Sequence, residues 1–160
     1  MIEKWSSVVN KNFNDAAFNY NNSASIQKYT ALKLAKICSS HSITNGFWVD
    51  LGSGTGLLAK SLESLHPNQS VMRLDNSEKM LDQHSEKSSK QLWDLNNGLP
   101  QWSKKPNLLA SSFVLHWLDN PQKQLKEWFN SLSSNGWIAL AIPIKGSFPE
   151  WYEASEKSNL

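Results

Sequence analysis

A chain of 160 residues is long enough to fold as one domain with a real core. Its net charge of +2 is too weak to argue for a nucleic-acid partner, and its single cysteine, Cys38, excludes an internal disulfide and suits a reducing cytoplasm. No run approaches the roughly 20 apolar residues that cross a bilayer, and Met1-Ile2-Glu3-Lys4 opens no signal peptide, so a cytoplasmic protein is expected.

Residues 1–24 are polar and rich in Asn and Ser, a composition that predicts a mobile arm. Ser25 is placed to cap a helix over 26–37, with Ile26, Tyr29, Leu32, Leu34 and Ile37 as its apolar face. After a polar loop, a first strand is expected over 47–51 and a helix over 57–65, with Leu57, Leu58, Leu62 and Leu65 on one face. A second strand over 70–74 ends at Asp75, and Asn76-Ser77 caps a helix through Met80-Leu81. Residues 83–90 read as a solvated, charged segment, and 91–93 as a short third strand ending at Asp94.

A loop follows over 95–105, then a fourth strand over 107–111 and the segment 113–118. Asp119-Asn120-Pro121 starts a helix carrying Leu125, Trp128, Phe129 and Leu132. Asn135-Gly136 turns the chain into a fifth strand over 137–144, and a last helix begins over 148–154. Strands alternating with helices predict an α/β fold: a doubly wound, Rossmann-like parallel sheet of about five strands with helices on both faces.

The segment that carries chemistry is Asp50-Leu51-Gly52-Ser53-Gly54-Thr55-Gly56, a strand end followed by glycines on alternate positions and then a helix start. Glycine here lets a ligand lie against the backbone, and the helix N-terminus offers unpaired N–H groups to a carboxylate or phosphate. A dinucleotide turn would need its third glycine at position 57, where Leu57 stands, so an NAD site is disfavoured. Asp50, Asp75 and Asp94 each end a predicted strand, the edge at which open parallel sheets bind ligands. Asp75 stands about twenty residues past the glycine turn, where a carboxylate can accept both hydroxyls of an adenosine ribose. The four histidines, His41, His66, His84 and His116, show no metal-ligand spacing.

The D-x-G-x-G-x-G pattern resembles the first motif of the class I S-adenosylmethionine (SAM) methyltransferases. The resemblance implies SAM as cofactor, with Gly52, Ser53, Gly54 and Gly56 around its amino-acid end and Asp50 near its ammonium group. It also places Asp75 and Asn76 at the ribose, Asp94 at the adenine amino group, Met80 and Leu95 against the ring with Leu74, and Ser111 at the end of strand four. Within that family the chain is similar to the malonyl–acyl-carrier-protein O-methyltransferases of biotin synthesis. Three segments carry this likeness: Phe13-x-x-Ala16-Ala17-x-x-Tyr20-x-x-x-Ala24-x-x-Gln27, Ser111-Ser112-Phe113-Val114-Leu115-His116-Trp117, and Gly146-Ser147-Phe148-Pro149-Glu150. Trans-aconitate methyltransferases carry a segment related to the second. The chain departs from the branch at Asn14-Asp15, Ser112 and His116.

The implied reaction is in-line methyl transfer to a carboxylate oxygen of a malonyl thioester, which is ionised at neutral pH and needs no general base. Residues 1–24 are the lid in this reading and 25–160 the SAM-binding core; Tyr20 touches the acyl substrate and His116 stands beside the methyl position. An acidic carrier protein would meet Lys28, Lys33 and Lys36 or Lys104 and Lys105. The family continues with further strands and a substrate-covering insertion, so those strands are expected to be missing here, leaving strand five an edge that invites self-association. Two alternatives stay open: a SAM methyltransferase of another small metabolite, and a catalytically incomplete SAM-binding domain.

Overall fold

The computed structural model describes residues 5–149. Strands β1 (Trp48–Leu51), β2 (Val71–Asp75), β3 (Lys90–Leu92), β4 (Leu108–Ser112) and β5 (Trp137–Ala141) form one parallel sheet in the order β3-β2-β1-β4-β5. The chain order reverses between β1 and β4, which makes their carboxyl ends the switch point of a doubly wound sheet.

Alternation along the strands divides the core. Trp48, Val71, Leu108 and Ala110 face α3 (Ser25–Ser39) and α4 (Leu57–Leu65), while Val49, Leu51, Leu74 and Leu109 face Trp128 of α6 (Pro121–Ser131). Burial on both faces is the mark of a parallel sheet, and β1 has all four residues buried, Asp50 among them. Asp50 shares the face of Trp48, two residues back, and therefore points at α4. Arg73 lies on that same face of β2 and pairs with Glu63 of α4 at 2.6 Å.

Helix α3 meets the core through small residues. Ala31, Leu34, Ala35 and Cys38 are buried, spaced i, i+3, i+4 and i+7, whereas Ile26, Tyr29, Leu32 and Ile37 are exposed. The expected apolar face is thus wrong in all but Leu34: the alanines let α3 approach α4 closely, and the larger side chains point outward. Ser25 does not cap the helix either; Ala24 occupies the N-cap position and makes no side-chain bond. Burial pushes the Cys38 thiol up to about 11. Pro121 opens α6 as expected, and Asn120 caps it by accepting from Lys123 N; Phe129 is exposed while Trp128 is fully buried.

Within the expected arm, residues 5–23 are largely helical. They form α1 (Trp5–Ala16) and α2 (Tyr20–Ser23). The Asn residues that suggested disorder instead dock α1 on the loop after β2. Asn10 donates to Asn76 O at 2.7 Å, and Asn14 Oδ1 accepts from Ser77 Oγ at 2.8 Å. Ser77 in turn caps α5 (Glu78–Leu81) by accepting from Met80 N. The strand predicted over 137–144 ends at Ala141, because Pro143 has no N–H for the ladder. Among the described residues β5 pairs on one side only. The helix expected over 148–154 falls almost wholly outside the described residues.

Replacing Asn14 with alanine removes the bond to Ser77 and is expected to destabilise the chain by about 1 kcal/mol. Hydrogen exchange should then rise selectively across α1, with the sheet amides unchanged.

Candidate functional site

At the switch point the ends of β1 and β4 part, and an open cleft of about 700 Å³, mouth included, lies between them and the N-terminal helices. A smaller recess lined by Gln27, Asp50, Ser53 and Thr55 continues it toward α3; Tyr20, Gly52, Gly54 and Ser112 line both.

The glycine turn separates the two. Ser53 N donates to Leu74 O at 2.8 Å and Gly56 N to Ser53 O at 2.8 Å, which folds the turn tightly over the end of β2. Gly54 sits at φ +52° with open space where a Cβ would stand, so its bare backbone faces the cleft. Gly56, at φ +86°, supplies no capping side chain to α4, and Asp50 substitutes for one: its Oδ2 accepts from Ala59 N at 3.0 Å. That carboxyl is buried at the head of the recess, and burial, eased by the Ala59 bond and by Arg73, pushes it up to about 7.

Asp75 ties the loops together. Oδ2 accepts from Gly54 N at 2.7 Å and Oδ1 from Ser77 N at 2.8 Å. Burial raises its pKa against the pull of those N–H bonds. Each oxygen has a further lone pair for a ligand. Asp94 accepts from Asn96 N at 2.9 Å, holding a single turn, Leu95–Asn97, at the floor of the cleft. Met80 and Leu95 line this end together with Trp93.

The N-terminal helices close the other side with aromatic rings. Phe13 meets Trp117 edge-on at 6.0 Å and Tyr20 at 6.2 Å, and Trp5 stacks on Trp117 at 6.0 Å. Asn21 of α2 accepts from Thr55 Oγ1 at 2.7 Å, bonding the cover to the glycine turn. Burial, then the nearby Asp75 charge, raises the Tyr20 pKa, so its hydroxyl stays protonated. Phe113, directly after β4, holds φ +58°, a left-handed conformation costing a non-glycine residue about 1 kcal/mol or more.

Of the residues expected at a site, Tyr20, Gly52, Gly54, Asp75, Asn76, Met80, Asp94 and Leu95 line the main cleft, and Asp50 and Ser53 the recess. Gly56 packs against His84 and lines neither; Ser111 is buried with its hydroxyl on Leu51 O at 2.8 Å, and its neighbour Ser112 faces the ligand space instead. Leu74 lies in the core beneath. His116 is exposed and stacks on Trp117 at 4.8 Å outside the lining, while Trp117 is the lining residue of the pair. Sequence reading missed Val9, Trp93, Asn96 and Ser112; the spacing of Trp5, Val9 and Phe13, four apart on one helical face, was the available signal for the first of these.

Residues 49–140 match the family model of the methyltransferase domain. The chain belongs to that family. Methyltransferase relatives include a trans-aconitate 2-methyltransferase of Mycobacterium tuberculosis, 33% identical over 59% of this chain and 36% of its own length. A malonyl-[acyl-carrier protein] O-methyltransferase of Ilyobacter polytropus is 29% identical over 83% of this chain and 51% of its own. The chain thus spans about half the length, or less, of these relatives. In fold it is similar to the plantazolicin methyltransferase BpumL, solved with a desmethylPZN analog and SAH: TM-score 0.71, 16% identity, 94% of this chain and 60% of that one. The architecture is that of a class I SAM-dependent methyltransferase.

Because the folded Asp50 keeps a proton up to about pH 7 that the unfolded chain releases near pH 4, its contribution to stability is lost as pH rises through that window. Asp50→Asn is expected to melt with the wild type at pH 4 and above it at pH 8, read from thermal unfolding curves.

Proposed function

We propose that the cleft binds SAM and that the chain is the cofactor-binding core of an O-methyltransferase. The observation that carries this reading is the pairing of a polar recess with an apolar, acid-edged trough across Gly54. In the recess, Ser53 Oγ and Ser112 Oγ are buried and make no hydrogen bond within the described protein, beside Asp50. Two hydroxyls left in that state cost about 1–3 kcal/mol each unless a ligand engages them. A zwitterionic amino-acid group fits there, its carboxylate on the hydroxyls and its ammonium on Asp50. In the trough, Asp75 fits the ribose hydroxyls, Asp94 an adenine amino group, and Met80 and Leu95 the ring faces.

Bound SAM would supply a sulfonium-activated methyl carbon, open to attack by an acceptor oxygen with the thioether as leaving group. The remaining work falls to this chain's residues. Phe13, Tyr20 and Trp117 exclude water from the acceptor side, and the protonated Tyr20 hydroxyl donates a hydrogen bond that orients the acceptor. A carboxylate acceptor asks for no base, and His116, outside the lining, is not assigned as one.

Within this reading the acceptor is the free carboxyl of a malonyl thioester on an acyl-carrier protein. The Phe13-to-Gln27 pattern supports it, since that segment supplies the aromatic cover, and so does the relative matched over 83% of the chain. The outward face of α3 offers Lys28, Lys33 and Lys36 beside exposed Ile26, Tyr29 and Ile37, with no acidic residue on the helix, a surface suited to an acidic carrier.

Calorimetric titration with S-adenosylhomocysteine is expected to give micromolar binding, weakened about tenfold to a hundredfold by Asp75→Asn. No binding by a folded wild type would remove the cofactor reading. Methylation assays should favour malonyl-carrier protein over trans-aconitate; the reverse preference would make the acceptor a small polycarboxylate. Charge reversal at Lys33 and Lys36 is expected to raise KM for the carrier-bound acceptor at low salt and leave homocysteine-ligand affinity unchanged.

A further inference from the structure

His84 is the one buried imidazole of a segment that otherwise reads as solvated, and it stands directly behind the glycine turn. Its Nε2 lies 2.8 Å from Gly54 O. A carbonyl can only accept, so Nε2 carries a hydrogen, and in the neutral ring Nδ1 is then bare. Nδ1 is buried and makes no hydrogen bond within the described protein. On its other side the ring fills the space of a Gly56 side chain: a Cβ there would come within 2.5 Å of His84 Cε1 and 2.8 Å of Nδ1. Gly54 is therefore held from two directions, its N–H by Asp75 at 2.7 Å and its carbonyl by His84.

We propose that His84 is a positioning residue that sets cofactor affinity, clamping Gly54 O as the neutral Nε2–H tautomer so that the bare face of Gly54 stays turned into the cleft. The inference rests on the assignment of that cleft to SAM. Protonation would add a hydrogen to Nδ1 where no acceptor awaits it. The charges that act on the ring are cationic: Arg73 on β2, Lys60 on α4 and Lys90 on β3. Burial first, then these three charges, holds the His84 pKa below the ordinary imidazole value, against the opposing effect of the Gly54 bond. Nε2 keeps its hydrogen in both protonation states, so it is the burial of a charged ring with an unpartnered Nδ1–H that disfavours the clamped position. The clamp is intact at neutral pH and loosens as pH falls below the free-imidazole range, and cofactor affinity falls with it.

The test is S-adenosylhomocysteine binding to the whole chain between pH 5 and 8 for wild type, His84→Ala and His84→Gln, with thermal unfolding confirming that each variant is folded. Glutamine places an amide N–H near the position of Nε2 and does not titrate. Expected are a wild-type affinity that drops at the acid end, a His84→Ala affinity about five- to tenfold weaker at pH 7.5, the worth of one hydrogen bond, and a His84→Gln affinity within about threefold of wild type at pH 7.5. The pH dependence of His84→Gln is shallower, reduced to the part that the Asp50 carboxyl contributes. Wild-type binding with equal affinity in the alanine variant, or an unchanged pH profile in the glutamine variant, overturns the proposal. Absence of wild-type binding at every pH overturns the cofactor assignment instead. In that case the nitrogen NMR shifts of His84 still decide the clamp: a protonated Nε2 with a bare Nδ1 upholds it, and the opposite tautomer overturns it.

Discussion

The carboxylate of Asp75 is the joint on which the site depends. One oxygen holds Gly54 of the first crossover and the other holds Ser77 of the second, so two loops from different strands become a single rim. Ser77 passes the connection on to Asn14 and thus to α1, which brings Phe13 over the cleft. Burying a carboxylate in this way is unfavourable by itself; two backbone N–H groups, from Gly54 and Ser77, offset the desolvation. Because those donors belong to the loops being joined, the ion that needs solvating is also what orders its surroundings.

Asp50 and Asp75 illustrate how two acids near the carboxyl ends of adjacent strands acquire different characters. Asp50 has one backbone donor and a fully buried position, and it sits near neutrality in its proton affinity. Asp75 sits at the rim with two donors. The recess therefore presents a group that gains charge when a cation arrives, while the rim presents an acceptor already organised by the backbone.

The framework was legible because parallel sheets are written in long-range periodicity: apolar runs ending in acids at 50, 75 and 94 mark strand ends whichever helices cover them. The glycine pattern, the cap at Ser77 and the helix start at Pro121 were equally local signals and survive in the fold. What the sequence hid depends on partners. In α3 the bulky apolar residues lie outside and alanines inside, since closeness to α4 rather than side-chain size decides which face is buried. The Asn-rich start reads as disorder until the loop after β2 supplies hydrogen-bond partners for Asn10 and Asn14. Ser111 and Ser112 differ only in which side of the sheet each faces, a one-residue register that no composition reveals. His84 looked like an incidental surface residue because its partner, a carbonyl thirty residues away, leaves no trace in spacing.

Cys38, wedged between α3 and the sheet with its thiol held far above neutrality, gives the molecule a practical property. It is the sole thiol of the chain, and as a buried, protonated one it is a poor nucleophile toward alkylating reagents. A cysteine introduced on the outer surface of α1, at Lys11 for instance, would be the single reactive handle. The aromatic cover could then carry one fluorophore or spin label on an otherwise native chain, and its distance from the glycine turn could be measured directly.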